Sequence, residues 1–443
     1  MKKIISLLLC LALAFGALPL VGCGDRAAVL KVYNVGEYMD EDVIAGFESW
    51  YEAETGKKIT LEYKTYSQNE DMYTEVYKKH ADYDVVVGSD YIISRMIRNG
   101  LLTEVDREFV YGEDGEAGII DERIMGFVND YENYDGKADY TDTVRYSVPY
   151  MWGTFGIMYR ADLVETELDW RKLSWDELFK AGANDGKRYM KNSVRDAFAS
   201  AAIVANADRL RELSNGFTDY GEEYYAFLSE CINDTSDENR KAVEATLKEQ
   251  KKYLFAYESD DGKDDMISSS PSAVEGFFWS CDAGYAMEDS TDLYYGVPVE
   301  GANVWVDAFT VPKYAGNPEA AKWFLKYLIS GTVEEEGDVP YLNRDYAGCS
   351  SPITEVQDYN STVMNEAWDL IKSGAESYDG DDEDVSYYFD FFSEAEGEDF
   401  GEMYIDMLFP SEEILKRCAV MRDYDKSACV ETAKMWIRVK ASV

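Results

Sequence analysis

Two periods of apolar residues run along the first hundred positions. Residues 29–35 read as a strand, and residues 40–54 carry Val43, Phe47 and Trp50 at helical spacing before Thr55-Gly56 ends the run. Residues 58–66 alternate as a strand does, residues 69–80 form a second helical pattern, and residues 83–88 are a short continuous apolar strand. Residues 89–99 are again helical, with Gly100 at the end. The order βαβαβα predicts a parallel sheet covered on both faces. Ligands of such sheets bind beyond the carboxyl ends of the strands. Two loops fall there, residues 34–38 and 88–91, and each presents an acid and a tyrosine. Asp90 can equally cap the helix that follows it.

Further along, residues 147–153 read as a strand, and residues 160–252 are largely helical and charged. Within them, residues 191–198 look like a loop entering a helix. Residues 277–280 form a buried strand whose Asp282 can cap the next helix, and residues 293–299 form another strand. Asn317-Pro318-Glu319 opens a helix with cap and N1 proline in place, its core face being Ala320, Phe324, Tyr327 and Leu328. Residues 354–417 are less regular. Residues 378–397 mix acids with aromatics and read as a solvated surface insertion; as a calcium loop they have Asp390 at the twelfth position but lack the glycine at the sixth.

The stretch 301–312, GANVWVDAFTVP, is an apolar, β-branched strand bounded by Gly and Pro. Trp305 and Asp307 are two apart, so both leave the same face. An unpaired carboxylate in a buried strand costs several kcal/mol. A cation would pair with the carboxylate and be attracted to the indole face. A core Trp beside an Asp that caps a loop or meets an Arg satisfies the pattern equally well.

Composition narrows the possibilities. The 443 residues leave room for two or three domains, and 46% hydrophobic residues with nine prolines argue for a folded body. With 43 basic and 87 acidic residues the net charge is -44, a surface that repels nucleic acid and anionic lipid and attracts cations. Lys2 and Lys3 precede an apolar run over residues 4–20, which reads as a secretion signal removed on export. Leu20-Val21-Gly22-Cys23 resembles the bacterial lipobox, whose Cys is lipidated. After Cys10 and Cys23, five cysteines remain with no CxxC spacing, so mostly free, buried thiols are expected. The single histidine, His80, removes His-based zinc sites and Ser-His-Asp or Cys-His nucleophiles.

Several motifs together resemble the spermidine/putrescine-binding proteins of bacterial ABC importers, within the extracellular solute-binding proteins. They are Val32-Tyr33-Asn34 with Glu37-Tyr38, Tyr83-Asp84-Val85-Val86 with Ser89 and Tyr91, Pro149-Tyr150-Met151-Trp152-Gly153, Arg195-Asp196, and Trp305-Val306-Asp307 leading to Pro312. The resemblance implies an α/β, two-lobe periplasmic-binding-protein-like fold (type II) with the ligand in the inter-lobe cleft. The chain would cross between lobes near residues 149–154 and 307–312. The expected organisation is a signal peptide over 1–22 and a lipid-anchored tether over 23–28. Lobe 1 would comprise 29–150 plus 308–350, and lobe 2 would comprise 151–307 plus 351–443, with an acidic insertion at about 355–415. Carried over residue by residue, Asp307 and Asp196 would hold amines, with Glu37 or Asp90 as helpers. Tyr38, Tyr91, Trp279 and Trp305 would supply ring walls, and Ser89 and Ser193 hydrogen bonds.

The implied protein is not an enzyme and uses no cofactor or metal. It would be a monomer held to the cell membrane only through the lipid on Cys23, taking a polyamine and passing it to an ABC permease. The chain departs from the family pattern in three places: Val35 stands where a Trp is frequent, Asn192 or Ser193 near where an acid is, and Cys349 where a tyrosine is. A sugar-binding protein of the same fold, a carboxylate-based surface glycosidase and an adhesive lipoprotein are the alternatives.

Overall fold

The computed structural model describes residues 28–36, 38–129, 143–346 and 348–442. The expected signal peptide, Cys23 and Glu37 lie outside the described residues.

Strand β1 (Val29–Val35) leads to α1 (Glu41–Thr55), which Asp40 caps by accepting from the Asp42 amide. Val43, Phe47 and Tyr51 form the buried stripe of α1, and Gly56 closes it at φ 68°. β2 (Thr60–Tyr66) and β3 (Val85–Ser89) both pair with β1 in parallel. Between them the helix expected over 69–80 is α-helical only at Asn69–Tyr73 and continues as a wider π turn over Thr74–Lys78. His80 follows, exposed and at φ 48°. Helix α2 (Asp90–Arg98) and the short edge strand β4 (Leu102–Thr103) complete this half.

The strand expected over 147–153 is twice as long: β5 (Ser147–Arg160) is buried along all 14 residues. It runs out of the first half of the sheet and into the second. There β6 (Arg188–Lys191) precedes α3 (Val194–Ala205), β7 (Ala256–Glu258) precedes β8 (Glu275–Trp279), and α4 (Ser280–Asp289) leads to β9 (Leu293–Gly296). Lys191 is therefore the last residue of a strand, not part of a loop. Asp282 sits in the first turn of α4 and does not cap it; Trp279 holds the cap position, with no side-chain bond.

The return strand β10 (Ala302–Pro312) passes back to the first half. Its Asp307–Thr310 stretch lies antiparallel to β3, and Val304–Thr310 lies against β5. The strand order is β2-β1-β3-β10-β5-β8-β6-β7, with β4 also on β10 and β9 also on β5. A fourth strand on β10, β11 (Cys418–Val420), comes from the C-terminal part. Two long strands thus join two half-sheets.

Side chains alternate between two cores, as a sheet covered on both faces requires. Val32, Val85, Val87 and Phe309 face a cluster with Phe47 and Phe324 of α5 (Pro318–Tyr327), whose Asn317 cap and N1 proline are as expected. Tyr33 and Val86 face the other core, which continues through the second half. Residues 378–397 are not a solvated loop: α7 (Glu383–Ser393) packs on α6 (Thr354–Lys372) and buries Val385, Phe389, Phe391 and Phe392. The acids stay on its outer face, and Asp382 caps it. Of the five later cysteines, Cys281 and Cys349 are joined, while Cys231 and Cys418 are buried thiols and Cys429 is half-buried.

Candidate functional site

Between the two halves lies a cavity of about 610 Å³. Its first wall comes from the carboxyl ends of β1, β2 and β3, and its second from the ends of β6 and β8 and the starts of α3 and α4. β10 forms the floor with Asn303, Trp305 and Asp307. Tyr38, Ser89, Asp90, Tyr91, Ser193, Asp196, Trp279, Trp305 and Asp307 all line this one cavity.

A register irregularity positions the centre of the site. Met151 pairs with Asp307 but Pro149 pairs with Ala308, so Tyr150 is an extra residue in β5. Such bulges re-aim neighbouring side chains. The Tyr150 hydroxyl donates to the Tyr38 carbonyl at 2.9 Å, and the Tyr38 hydroxyl donates to Asp307 Oδ2 at 3.0 Å. Asp307 Oδ1 is buried without a hydrogen-bond partner. Trp305, on the same face, donates from Nε1 to the Thr154 carbonyl at 3.2 Å. Gly153 lets the indole lie there, since a Cβ at 153 would meet Trp305 Cζ2 at 2.7 Å.

Burial pushes the Asp307 carboxyl up to about 6, aided by the charge of Asp196 and opposed by the nearby Ser89 and Tyr38 hydroxyls. Burial likewise raises Asp90 and Asp196. Asp90 is tied to the backbone on both oxygens, accepting from the Tyr91 amide at 2.6 Å and the Val306 amide at 3.4 Å. Ser193 caps α3, accepting from the Asp196 amide at 3.4 Å. Tyr91 donates to Glu70 Oε1 at 3.3 Å. Glu288 is raised to about 7 by burial, with Asp289 adding to it.

Of the three basic residues of the lining, Lys191 and Lys263 are paired with carboxylates, while Arg195 lies between two rings with Nε and Nη1 buried and without hydrogen-bond partners. The Arg195 guanidinium is buried 4.6 Å from the Tyr91 ring centroid and 3.6 Å from that of Tyr424, and it donates to the Arg422 carbonyl at 2.6 Å. Lys263 pairs with Asp260 at 2.6 Å. Lys191 Nζ lies 2.8 Å from Glu258 and 2.6 Å from Asp282. Glu70, Asp90, Asp196, Glu288 and Asp307 have no ion-pair partner among the described residues. The site therefore favours a positively charged guest.

Several groups in and behind the cavity wall carry no local sequence signal for it. Glu70 lies past the end of β2, a position the strand-end rule identifies. Glu258 and Asp282 meet Lys191 only through the pairing of β6 with β7 and the seating of α4. Cys281 and Cys349 both line the cavity, with Cα atoms 4.6 Å apart. The backbone of Gly348 comes so close to Gly284 that a Cβ there would meet the Gly348 carbonyl oxygen at 2.8 Å.

Two half-sheets, two long joining strands and an acid-lined cleft between them define a two-lobe α/β binding protein. The chain belongs to the bacterial extracellular solute-binding proteins, the family that matches residues 49–337. The spermidine/putrescine-binding periplasmic protein of Salmonella typhimurium is 27% identical over 333 residues, covering 73% of this chain and 80% of its own. A putrescine-binding periplasmic protein of Escherichia coli is 25% identical over 363 residues, covering 78% and 86%. Among solved structures, a spermidine/putrescine ABC transporter substrate-binding protein from Streptococcus pneumoniae superposes with a TM-score of 0.61 at 21% identity, covering 93% of this chain and 98% of that one. A lipoprotein of Treponema pallidum gives 0.59 at 18%, covering 93% and 99%. The structural likenesses bear on the fold. Among the described residues, no helix is long and apolar enough to cross a membrane, and no group of three or more His, Cys, Asp or Glu is placed to hold a metal ion.

Proposed function

We propose that this protein captures a polyamine of the spermidine/putrescine class in the inter-lobe cleft and delivers it to an ABC import permease. It does so outside the cytoplasm, as a monomer anchored through a lipid on Cys23. The observation that carries this is Asp307: a buried carboxylate in the cavity wall beside Trp305, met only by the Tyr38 and Ser89 hydroxyls and with no cation paired to it among the described residues. An alkylammonium supplies the missing donors and the compensating charge, and the indole supplies a face for it. The relatives named for binding spermidine and putrescine support the same class of ligand.

In this account Asp307 and Asp196 hold amines. Tyr38, Tyr91, Trp279 and Trp305 enclose the methylene chain, whose burial contributes ~25 cal/mol per Å². Glu37 or Asp90 assists as a further carboxylate, and Ser89 and Ser193 orient the acids. The chemistry is capture, not catalysis. A sugar would seek mixed donors and acceptors; Lys191 is committed to Glu258 and Asp282, and the unpaired lining groups are mostly carboxylates.

A thermal-shift screen of polyamines, sugars and amino acids tests the proposal, since a site ligand stabilises by mass action. Putrescine or spermidine is expected to raise Tm by several degrees at about a hundred times Kd. A rise with sugars alone would overturn the polyamine assignment.

A further inference from the structure

We infer that Lys191 is a specificity-determining residue: its ammonium is a built-in occupant of one amine seat of the cleft, which restricts the ligand to an amine with one fewer charge. This rests on the polyamine reading above.

Lys191 ends β6 opposite Glu258, the last residue of β7. Its Nζ sits between Glu258 Oε1 at 2.8 Å and Asp282 Oδ2 at 2.6 Å. The same nitrogen lies 4.3 Å from the Trp279 ring centroid and 5.2 Å from that of Phe278. Two carboxylates and an indole are the surroundings a terminal ammonium of a ligand would require. Lys191, Asp282 and Trp279 all line the cavity, yet the Lys191 side chain is only 2% exposed. Burial lowers the Lys191 ammonium, but Asp282 and Glu258 outweigh it and hold it above its ordinary value. It stays charged, so both carboxylates are spent on it.

The seats left open are at the Asp307 end, where carboxylates have no basic partner. A diamine can be satisfied there. A triamine must bring its third ammonium towards a region already holding one, and like charges at close range disfavour that.

The test uses Lys191→Ala and, because that variant leaves two facing carboxylates, Lys191→Ala combined with Glu258→Gln. Putrescine and spermidine affinities are measured by calorimetry, and Tm is followed with n-butylamine as a free stand-in for the lost side chain. Wild type is expected to bind putrescine at least tenfold tighter than spermidine. A folded variant should shift that ratio towards spermidine by tenfold or more. A ratio within threefold of wild type in a folded variant overturns the inference, as does a wild type that prefers spermidine. If wild type binds neither amine, the polyamine reading fails by itself. The n-butylamine arm then decides: a larger Tm rise in the variants than in wild type supports the seat, and an equal rise overturns it.

Discussion

The two ends of the cleft hold the same materials in opposite states. At one end Asp307 lies beside Trp305 with no cation paired to it among the described residues. At the other, Glu258 and Asp282 lie beside Trp279 with a lysine ammonium already between them. A protein built for stability alone would pair both sets, since an unpaired buried charge costs several kcal/mol. Leaving one set open is the mark of a site, because the missing partner arrives with the ligand. The filled end indicates what that partner is: a primary ammonium.

Three perturbations probe the difference between the two ends. The largest effect belongs to Asp307→Asn, which keeps the shape and removes the charge. It is expected to weaken a cationic ligand by more than about 2 kcal/mol, roughly thirtyfold in Kd. Unchanged affinity by calorimetry would remove Asp307 from the site and erase the contrast. Next is Trp305→Ala, expected to cost ~1–2 kcal/mol through lost ring contact while leaving the charge requirement intact. A loss as large as that of Asp307→Asn would mean that the indole, not the carboxylate, dominates.

The smallest effect is on the unliganded protein. Burial raises Asp307 to about 6, above an unfolded value near 4, so its contribution to stability is full below pH 4 and lost as pH rises through 6. The empty protein should gain about 1 kcal/mol between pH 7 and pH 5 from this group. Glu244, held at about 2 by Arg438, acts only at lower pH. A Tm that falls steadily from pH 7 to pH 5 without ligand would contradict the raised carboxyl.

Much of this was legible in the chain. Strand β1 and helix α5 follow from alternation, caps and an N1 proline, because those signals are local. The shared face of Trp305 and Asp307 follows from the period of two, and the site loops follow from the strand-end rule. The rest depends on contacts distant in sequence. The length of β5 is set by neighbours on both sides, β10 first and then β8 and β9. Asp282 is available to cap a helix in any local reading, and only the β6 end shows it facing Lys191. The α7 stretch is acid-rich on one face and aromatic on the other. A density of charge concealed that period, while Phe391 and Phe392 packed inside.

Calorimetry of putrescine binding at pH 6, in buffers of different ionisation enthalpy, reads whether the Asp307 carboxylate receives the ligand's ammonium. Near its raised value the empty carboxyl is about half protonated, and an ammonium favours the charged form, so binding should release roughly half a proton, with Kd weakening about tenfold from pH 7 to pH 5. In Asp307→Asn the release should fall by about that half proton. Tight binding that takes up protons, or that is indifferent to pH across this range, would contradict the account.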